Sequence, residues 1–166
     1  GLPVTTLRPF NAYGPRQSQR AFIPSVMVQL LSHTEEIRLG SLSPTRDLTF
    51  VLDTARGFAD VLESDEGLGR VFNMGSGLEV SMRTVVDMIF SVTGSNPRVE
   101  LDENRLRPAA SEVERLWSDS SEMKKTFGWK PEFSGREGLR RGLESTFEWL
   151  QGQAEIQGYD PRQYVV

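Results

Sequence analysis

The sequence contains no cysteine and only one histidine, His33, among its 166 residues. Without cysteine, neither a disulfide framework nor a thiolate metal site can form. A Ser-His-Asp mechanism or a histidine-bound metal would depend on His33 alone, and this residue ends a helical pattern typical of a surface or helix C-cap position. We therefore discount both of these chemistries and predict no metal site.

Long apolar segments and an excess of positive charge are also missing. No apolar run reaches the roughly 18 residues that a transmembrane helix requires, and no signal peptide is visible. The net charge of −4 gives no support to a nucleic-acid partner or a membrane partner. We expect a cytoplasmic protein, and a chain of this length usually forms one domain.

Three catalytic signatures are missing as well. Gly75–Gly77 follows a predicted strand, but Val80 occupies the place of the third glycine of a dinucleotide fingerprint. We therefore interpret this segment as a turn. No tyrosine is followed four positions later by lysine, the dyad in which lysine lowers the pKa of a tyrosine for proton transfer, and no nucleoside-triphosphate loop is present.

The patterns that are present alternate between helical and extended segments. Apolar residues at helical spacing predict a helix over residues 23–32, and Asp53 and Ser81 are expected to cap the next two helices. The expected buried face of the helix after Asp53 consists of Ala55, Phe58, Ala59 and Leu62. The other expected elements are strands over residues 4–7, 36–39, 47–52, 70–74 and 98–101, an irregular segment over 102–118, and helices from Asp119 to Gly128 and from Ser134 to Leu150.

The first of these strands leads directly into a polar loop. Val4–Leu7 has the composition of a buried strand, yet the chain offers few sheet neighbours, so the chain looks cut and the strand's apolar residues should be exposed. The loop after it carries Asn11 between Arg8 and Arg16, which favours a polar, anionic ligand at a strand end. The alternative is that Arg8 forms a surface ion pair and Asn11 caps a turn.

Further polar residues lie at the ends of predicted elements. They are Arg20, Arg46, Asn73 and Arg107. Sixteen of the 19 basic residues are arginines, whose planar fork suits phosphate, although a GC-rich genome gives the same bias. Each residue alone is typical of a solvated surface, but several arginines together could share the charge of a diphosphate.

Six short motifs occur in one order along the chain: Arg8-Pro-Phe-Asn-Ala-Tyr-Gly-Pro-Arg16, Phe22-Ile-Pro24, Thr45-Arg-Asp47 with Val51-Leu-Asp53, Phe72-Asn-Met-Gly-Ser-Gly77, Arg107-Pro108 and Phe127-Gly-Trp-Lys-Pro131. Over residues 3–150 they resemble the C-terminal half of extended short-chain dehydrogenases/reductases that act on nucleotide sugars, the NAD-dependent epimerases and dehydratases. The segment from Arg107 to Asp119 is most similar to sugar-nucleotide 4,6-dehydratases of the legionaminic-acid type.

The resemblance implies an α/β fold, made of the last part of a Rossmann-type parallel sheet and a smaller mixed α/β substrate-binding domain. Residues 1–16 would end the NAD-binding Rossmann domain, residues 17–150 would form mostly the substrate domain with a returning Rossmann element, and residues 151–166 would be a tail. The implied ligands are NAD and a nucleotide-diphosphate sugar. A homodimer is implied only for the intact enzyme.

The resemblance also assigns individual residues. Pro9 and Phe10 match the backbone that passes the nicotinamide. The substrate-binding residues are Asn11 at the diphosphate, Arg20, Phe22 and Ile23 in the segment that clasps the nucleotide, Arg38 near the base, Arg46 and Arg107 as paired phosphate arginines, and Asn73 lining the same pocket.

The reacting groups of this family lie upstream of the motifs found here. They are the glycine-rich NAD loop, the Tyr-x-x-x-Lys dyad and the acid–base pair of the dehydratases, so we expect the chain to be inactive alone. Three hypotheses remain: the substrate-binding portion of a 4,6-dehydratase, the same portion of a 4-epimerase, or a non-catalytic nucleotide-sugar-binding protein. The nucleotide can be UDP, GDP or dTDP.

Overall fold

A computed structural model describes residues 2–32, 35–106 and 112–157. His33 and Arg107 lie outside these ranges. The strands are β1 (Thr6–Pro9), β2 (Ala12–Tyr13), β3 (Glu36–Leu39), β4 (Thr45–Asp47), β5 (Thr49–Phe50), β6 (Val71–Met74), β7 (Glu79–Ser81), β8 (Arg98–Leu101) and β9 (Arg115–Leu116). The helices are α1 (Phe22–Leu31), α2 (Val51–Leu62), α3 (Met82–Thr93), α4 (Ser121–Phe127) and α5 (Gly135–Gln157), with 3₁₀ turns at Asp65–Gly67 and Glu103–Arg105.

The strands form four small sheets rather than one large one. β1 pairs with β6, β2 with β5, and β3 with β8, and all three pairs are parallel. In the fourth sheet, β4 lies between antiparallel β7 and parallel β9. This mixed α/β arrangement with parallel pairs agrees with the predicted fold class.

The main core lies between α1, α3 and α5. Val26, Met27, Val85, Ile89 and Leu143 are fully buried there. Full burial of an aliphatic side chain of this size contributes about 1.5–3 kcal/mol, so these contacts fix the three helices against one another. The apolar residues that recur at helical spacing in α1, α3 and α5 lie in this core or pack at its border.

The β1–β6 pair has one covered face and one open face. Its covered face places Phe72 and Met74 against Met123 and Trp129 in a second, smaller core. On the open face, Val71 is half exposed, and Val4, just before β1, is 52% exposed. Parallel strands are normally buried on both faces. The expected exposure is confirmed for Val4, whereas Leu7 is partly buried and packs against the second core. The strand begins at Thr6 rather than at residue 4.

The predictions for α2 were wrong in two respects. The helix begins at Val51 with Phe50 as its N-cap, so the predicted strand over 47–52 ends early and Asp53 lies in the first helical turn. The predicted inner face (Ala55, Phe58, Ala59 and Leu62) is exposed, and Leu62 is 86% exposed.

A glycine explains the orientation of α2. Gly57 faces inward, where an added Cβ would collide with the sulfur of Met74 and lie 2.9 Å from Nε1 of Trp129. The absence of a side chain lets the helix approach β6 closely, and this close packing determines which face is buried. The apolar residues of the opposite face therefore remain outside.

The ends of the later helices follow local sequence signals more closely. Ser81 caps α3, as predicted, by accepting a hydrogen bond from Thr84 N at 3.1 Å. Gly94 ends the helix in the left-handed conformation. α4 starts at Ser121 rather than at Asp119, whose carboxylate accepts a hydrogen bond from Ser121 N at 2.9 Å. α5 begins after Ser134 but continues to Gln157, beyond the expected end at residue 150.

The segment over 102–118 was expected to be irregular throughout, but it contains a 3₁₀ turn and the short strand β9. Its pairing with β4 was not visible from the sequence because a two-residue strand carries no periodic pattern. Within the described ranges, no helix has the length and apolar character needed to cross a membrane.

Candidate functional site

A cleft of about 370 Å³ opens between the loop after β1, the start of α1 and the segment that joins β3 to β4. Its walls combine arginine and amide side chains with an apolar surface. The lining residues used below are Asn11, Gln17, Arg20, Phe22, Ile23, Ser25, Gly40, Arg46, Arg105 and Glu112. Asn11, Arg20, Phe22, Ile23 and Arg46 were predicted from the sequence to bind substrate, and the fold brings these five to one cleft.

Asn11 is held in place by hydrogen bonds to β4 and β5. Its Nδ2 donates a hydrogen bond to the backbone oxygen of Asp47 at 3.2 Å, and its own carbonyl accepts one from Thr49 N at 3.2 Å. The side chain is nevertheless exposed at the cleft surface. The amide oxygen and the remaining amide proton can therefore face a polar ligand.

Asp47 is completely buried, and its carboxylate is held by the predicted glycine-rich turn. It accepts hydrogen bonds from Ser76 N at 2.8 Å, Ser76 Oγ at 2.7 Å, Gly77 N at 2.9 Å and Ser118 N at 3.3 Å. Four donors compensate the loss of water around a buried charge. Asp47 in this way anchors the strand that carries Arg46.

The same geometry tests whether this turn could bind a dinucleotide. The amides of Ser76 and Gly77 already bond to Asp47, so they do not form a cradle for phosphate. Pro9 and Phe10 offer only backbone near the end of β1, where Phe10 N donates to Met74 O at 2.9 Å. Within the described ranges, neither this turn nor the backbone of Pro9 and Phe10 forms a phosphate cradle for NAD, and no group of acidic residues or histidine there is arranged to hold a metal.

Tyr13 also lines the cleft and is almost fully buried. Its hydroxyl donates to the carbonyl oxygen of Leu139 at 3.3 Å. Burial raises the pKa of Tyr13 far above its ordinary value, and the nearby carboxylate of Asp53 raises it further. A phenol in this state cannot act as a base near neutral pH, so Tyr13 has a structural role.

Asp53 supports the structure from the other side. Its carboxylate accepts hydrogen bonds from Glu132 N at 2.8 Å, Phe133 N at 2.9 Å and an Arg56 guanidinium nitrogen at 2.7 Å. These bonds tie the start of α2 to the segment before α5. The prediction that Asp53 caps α2 was wrong. Asp53 is instead a buried residue whose hydrogen bonds connect two segments of the fold.

Arg46 is the most enclosed cation of the cleft, since its side chain is only 13% exposed. One guanidinium nitrogen donates to the carbonyl oxygens of Thr45 at 2.8 Å and Val113 at 2.6 Å. The other lies 3.0 Å from the carboxylate of Glu112, whose side chain is 17% exposed. An anionic ligand at Arg46 must therefore compete with Glu112.

The start of α1 forms another part of the cleft. Phe22, Ile23 and Ser25 all belong to its first turn and line the cleft, while Arg20 precedes the helix and is exposed. The N-cap Ala21 has no side-chain acceptor, and the first turn contains no acidic residue. The partial positive charge of the helix N-terminus is therefore directed at the cleft without a compensating side chain of its own.

Some predicted site residues lie elsewhere. The side chain of Arg38 is 67% exposed and contacts Glu36 at 3.5 Å, outside the cleft lining. Asn73 lies on β6 opposite Arg8, and it also falls outside the lining, as do Pro9 and Phe10. The roles assigned to these four residues and to Arg107 stay predictions.

Among the lining residues that the sequence analysis missed, three carry an amide or a charge. Gln17, Arg105 and Glu112 all contribute to the cleft. Arg105 could have been noticed because it lies two residues before Arg107 in an Arg-x-Arg-Pro segment. Nothing in the local sequence distinguishes Glu112 from the other acidic residues of this charged region.

Comparison with known proteins gives a consistent result. Residues 1–142 match the family described as GDP-mannose 4,6 dehydratase. UDP-glucose 4-epimerase of Corynebacterium glutamicum is 35% identical over 147 residues, which cover 80% of this chain and 44% of that protein.

Two solved structures show the same fold together with NAD. UDP-glucuronic acid 4-epimerase from Bacillus cereus, in complex with UDP-glucuronic acid and NAD, has a TM-score of 0.80 at 25% identity, with coverage of 92% of this chain and 46% of that one. dTDP-glucose 4,6-dehydratase from Bacillus anthracis, in complex with NAD, has a TM-score of 0.78 at 25% identity, with coverage of 90% and 45%. The cofactor expected for the family is confirmed in these relatives.

The chain spans about half the length of the relatives that it matches. These relatives include both epimerases and 4,6-dehydratases. The comparisons therefore confirm the predicted epimerase/dehydratase family but do not distinguish between its two activities. The match over residues 1–142 covers most of the chain. The chain belongs to the GDP-mannose 4,6 dehydratase family, within the NAD-dependent epimerases and dehydratases of nucleotide sugars.

Proposed function

We propose that this chain binds a nucleotide-diphosphate sugar in the cleft, as the substrate-binding portion of an NAD-dependent 4,6-dehydratase. The observation that carries the proposal is that Asn11 before β2, Arg20 before α1 and Arg46 on β4 meet at one cleft at the start of α1. Separate surface ion pairs would not require this convergence.

The charge of the cleft suits a diphosphate. Among the residues that the structure describes, three arginines (Arg20, Arg46 and Arg105) and one acidic residue (Glu112) line it. The N-terminal turn of α1 adds partial positive charge. Guanidinium groups bind phosphate oxygens through charge-assisted hydrogen bonds, which are stronger than neutral ones.

The apolar wall suits the nucleotide. Phe22 and Ile23 begin α1 beside these cations, and Leu39, Leu48 and Met82 also line the cleft. Arg38 and Asn73 lie outside this lining. Arg38 keeps its proposed place near the base, and Asn73 its proposed place beside the substrate pocket. Pro9 and Phe10 keep their proposed place beside the nicotinamide, and Arg107 its proposed place as partner of Arg46.

The chemistry of the reaction needs groups that this chain does not contain. NAD supplies hydride transfer in enzymes of this kind. In this proposal the described residues bind and orient the substrate, and the groups that remove a proton from the sugar are those that the family carries upstream of these motifs. We therefore expect no 4-keto product when the chain is incubated with NAD and UDP- or GDP-N-acetylglucosamine. Turnover above that of a buffer control would contradict this assignment.

A second candidate is the corresponding portion of a 4-epimerase, which the 35% identity to the Corynebacterium epimerase favours. The dehydratase remains our first choice because of the family description and because of the segment from Arg107 to Asp119. A non-catalytic nucleotide-sugar-binding protein would use the same cleft.

Isothermal titration of UDP, GDP and dTDP into the chain tests the proposal. We expect one nucleotide to bind, and Arg46→Ala to weaken its binding by roughly tenfold to a hundredfold, because a charge-assisted bond contributes about 1.5–3 kcal/mol. Arg140→Ala is the matched control, since Arg140 pairs with Glu137 on α5 outside the cleft. The proposal fails if no nucleotide binds, or if both variants bind like the wild type while retaining its melting temperature.

A further inference from the structure

The 3₁₀ turn after β8 directs an additional arginine into the wall of the cleft. Arg105 ends this turn and lies beside the start of α1, while Arg46 reaches the same cleft from β4. We propose that Arg105 is a further substrate-binding residue, which holds the diphosphate together with Arg46. This inference rests on the proposed function and adds a residue to which the family motifs gave no role.

Two of the contacts made by Arg105 fix the direction of its side chain. Nε donates to Oδ2 of Asp102 at 3.1 Å, and Nη1 donates to Oγ of Ser25 at 3.1 Å. Asp102 is held in turn, because it caps the same 3₁₀ turn by accepting a hydrogen bond from Asn104 N at 3.0 Å. The Arg105 side chain is only 17% exposed. An arginine ordered in advance loses little further conformational entropy when it binds a ligand.

The surroundings of Arg105 favour an anion. Ser25 belongs to the N-terminal turn of α1, whose partial positive charge faces the cleft. A cation beside a helix N-terminus is unfavourable unless negative charge is nearby. Asp102 supplies part of this charge on the Nε side, and a diphosphate in the cleft would add negative charge close to both the helix end and the guanidinium.

The turn that carries Arg105 is also closely packed. An added Cβ at Gly40 would lie 2.5 Å from the carbonyl oxygen of Arg105, so the end of β3 and the turn are in direct backbone contact. Gly40 itself lines the cleft. The position of Arg105 is therefore set by backbone packing as well as by its side-chain partners, which gives the precise placement that phosphate recognition requires.

The competing role for Arg105 is structural, as a tether between the turn and α1. A tether contributes to stability but does not distinguish ligands with phosphate from ligands without it. A diphosphate-binding residue affects UDP and leaves uridine nearly unaffected. The comparison of these two ligands separates the roles.

The experiment measures the dissociation constants of UDP and uridine for the chain, or of GDP or dTDP and its nucleoside if that nucleotide binds more tightly. Arg105→Met removes the charge at similar length, and Arg105→Lys keeps the charge but removes the planar fork. Arg98→Met is the control, because Arg98 lies at the start of β8, pairs with Glu36 and does not line the cleft. Melting temperatures are recorded for every variant.

We expect Arg105→Met to weaken UDP binding about tenfold and to change uridine binding less than about twofold. Arg105→Lys should weaken UDP binding by at least about threefold. If the methionine variant does not fold, the comparison of UDP and uridine binding in Arg105→Lys tests the inference. Equal losses for both ligands, or no loss in a folded variant, would overturn the inference. If Arg46→Ala weakens binding and the Arg105 variants do not, only this inference fails, whereas absence of nucleotide binding in the wild type removes the proposed function itself.

Discussion

The ion pair between Arg46 and Glu112 makes a specific prediction about ligand affinity. The two groups are 3.0 Å apart, and their side chains are 13% and 17% exposed. At an effective dielectric constant of about 20, two unit charges roughly 4 Å apart attract by about 4 kcal/mol. Desolvation offsets most of this attraction, so the net contribution of such a pair is small.

A diphosphate that binds Arg46 must displace Glu112 or accept its repulsion. Glu112→Gln keeps the size of the side chain and one acceptor oxygen but removes its negative charge. We expect this variant to bind the preferred nucleotide about threefold to tenfold more tightly, which corresponds to about 0.7–1.4 kcal/mol. The backbone contacts of Arg46 with Thr45 and Val113 should keep the guanidinium in place.

Isothermal titration at low ionic strength is the appropriate assay, because salt screens the effect. Glu114→Gln is the matched control, since Glu114 is an exposed acid two residues away that does not line the cleft. Weaker binding in Glu112→Gln would mean that Glu112 contacts the ligand instead of competing with it. Unchanged binding would mean that the ion pair persists in the complex. Either result would refute the competition argument.

Three predictions concern stability, each measured as the free energy of unfolding in urea. Asp47→Asn should destabilise the fold by about 2–3 kcal/mol, because an amide cannot accept all the hydrogen bonds that the buried carboxylate accepts; a loss below about 0.5 kcal/mol would contradict this. Gly57→Ala should lower the free energy of unfolding by about 1–3 kcal/mol, because the added methyl group collides with its neighbours. The control Gly152→Ala, in open space on α5, should raise it by about 0.5–1 kcal/mol. Equal effects of the two substitutions would refute the packing argument. Hydrogen bonding from Arg115 lowers the pKa of Glu79 to about 2, from an ordinary value of 4.5. The contribution of the ionised Glu79 to stability is therefore complete above about pH 4.5 and is lost as the pH falls towards 2. Arg115→Met should make the free energy of unfolding less dependent on pH in this range.

The sequence by itself determined the features that depend on local chemistry. The ends of α3 follow from Ser81 and Gly94, because a hydroxyl that accepts an amide hydrogen bond and a glycine that adopts a left-handed conformation act within one helical turn. The family also followed from sequence, since short motifs keep their order along the chain. Asn11, Arg20 and Arg46 could be selected as site candidates because polar residues at element ends are visible without coordinates.

Tertiary packing decided which faces and partners those local elements use. The apolar residues of α2 predicted the wrong buried face. Gly57 lets the helix approach Met74 and Trp129 closely, and the larger side chains on the opposite face would prevent such an approach. The turn at Gly75–Gly77 was predicted, but its role in holding Asp47 depends on a contact 29 residues away in sequence. Arg105 and Glu112 belong to the cleft only because β8 pairs with β3 and β9 with β4. Contacts between distant segments are not encoded in any short pattern, so the composition of the cleft emerged only when the chain was folded.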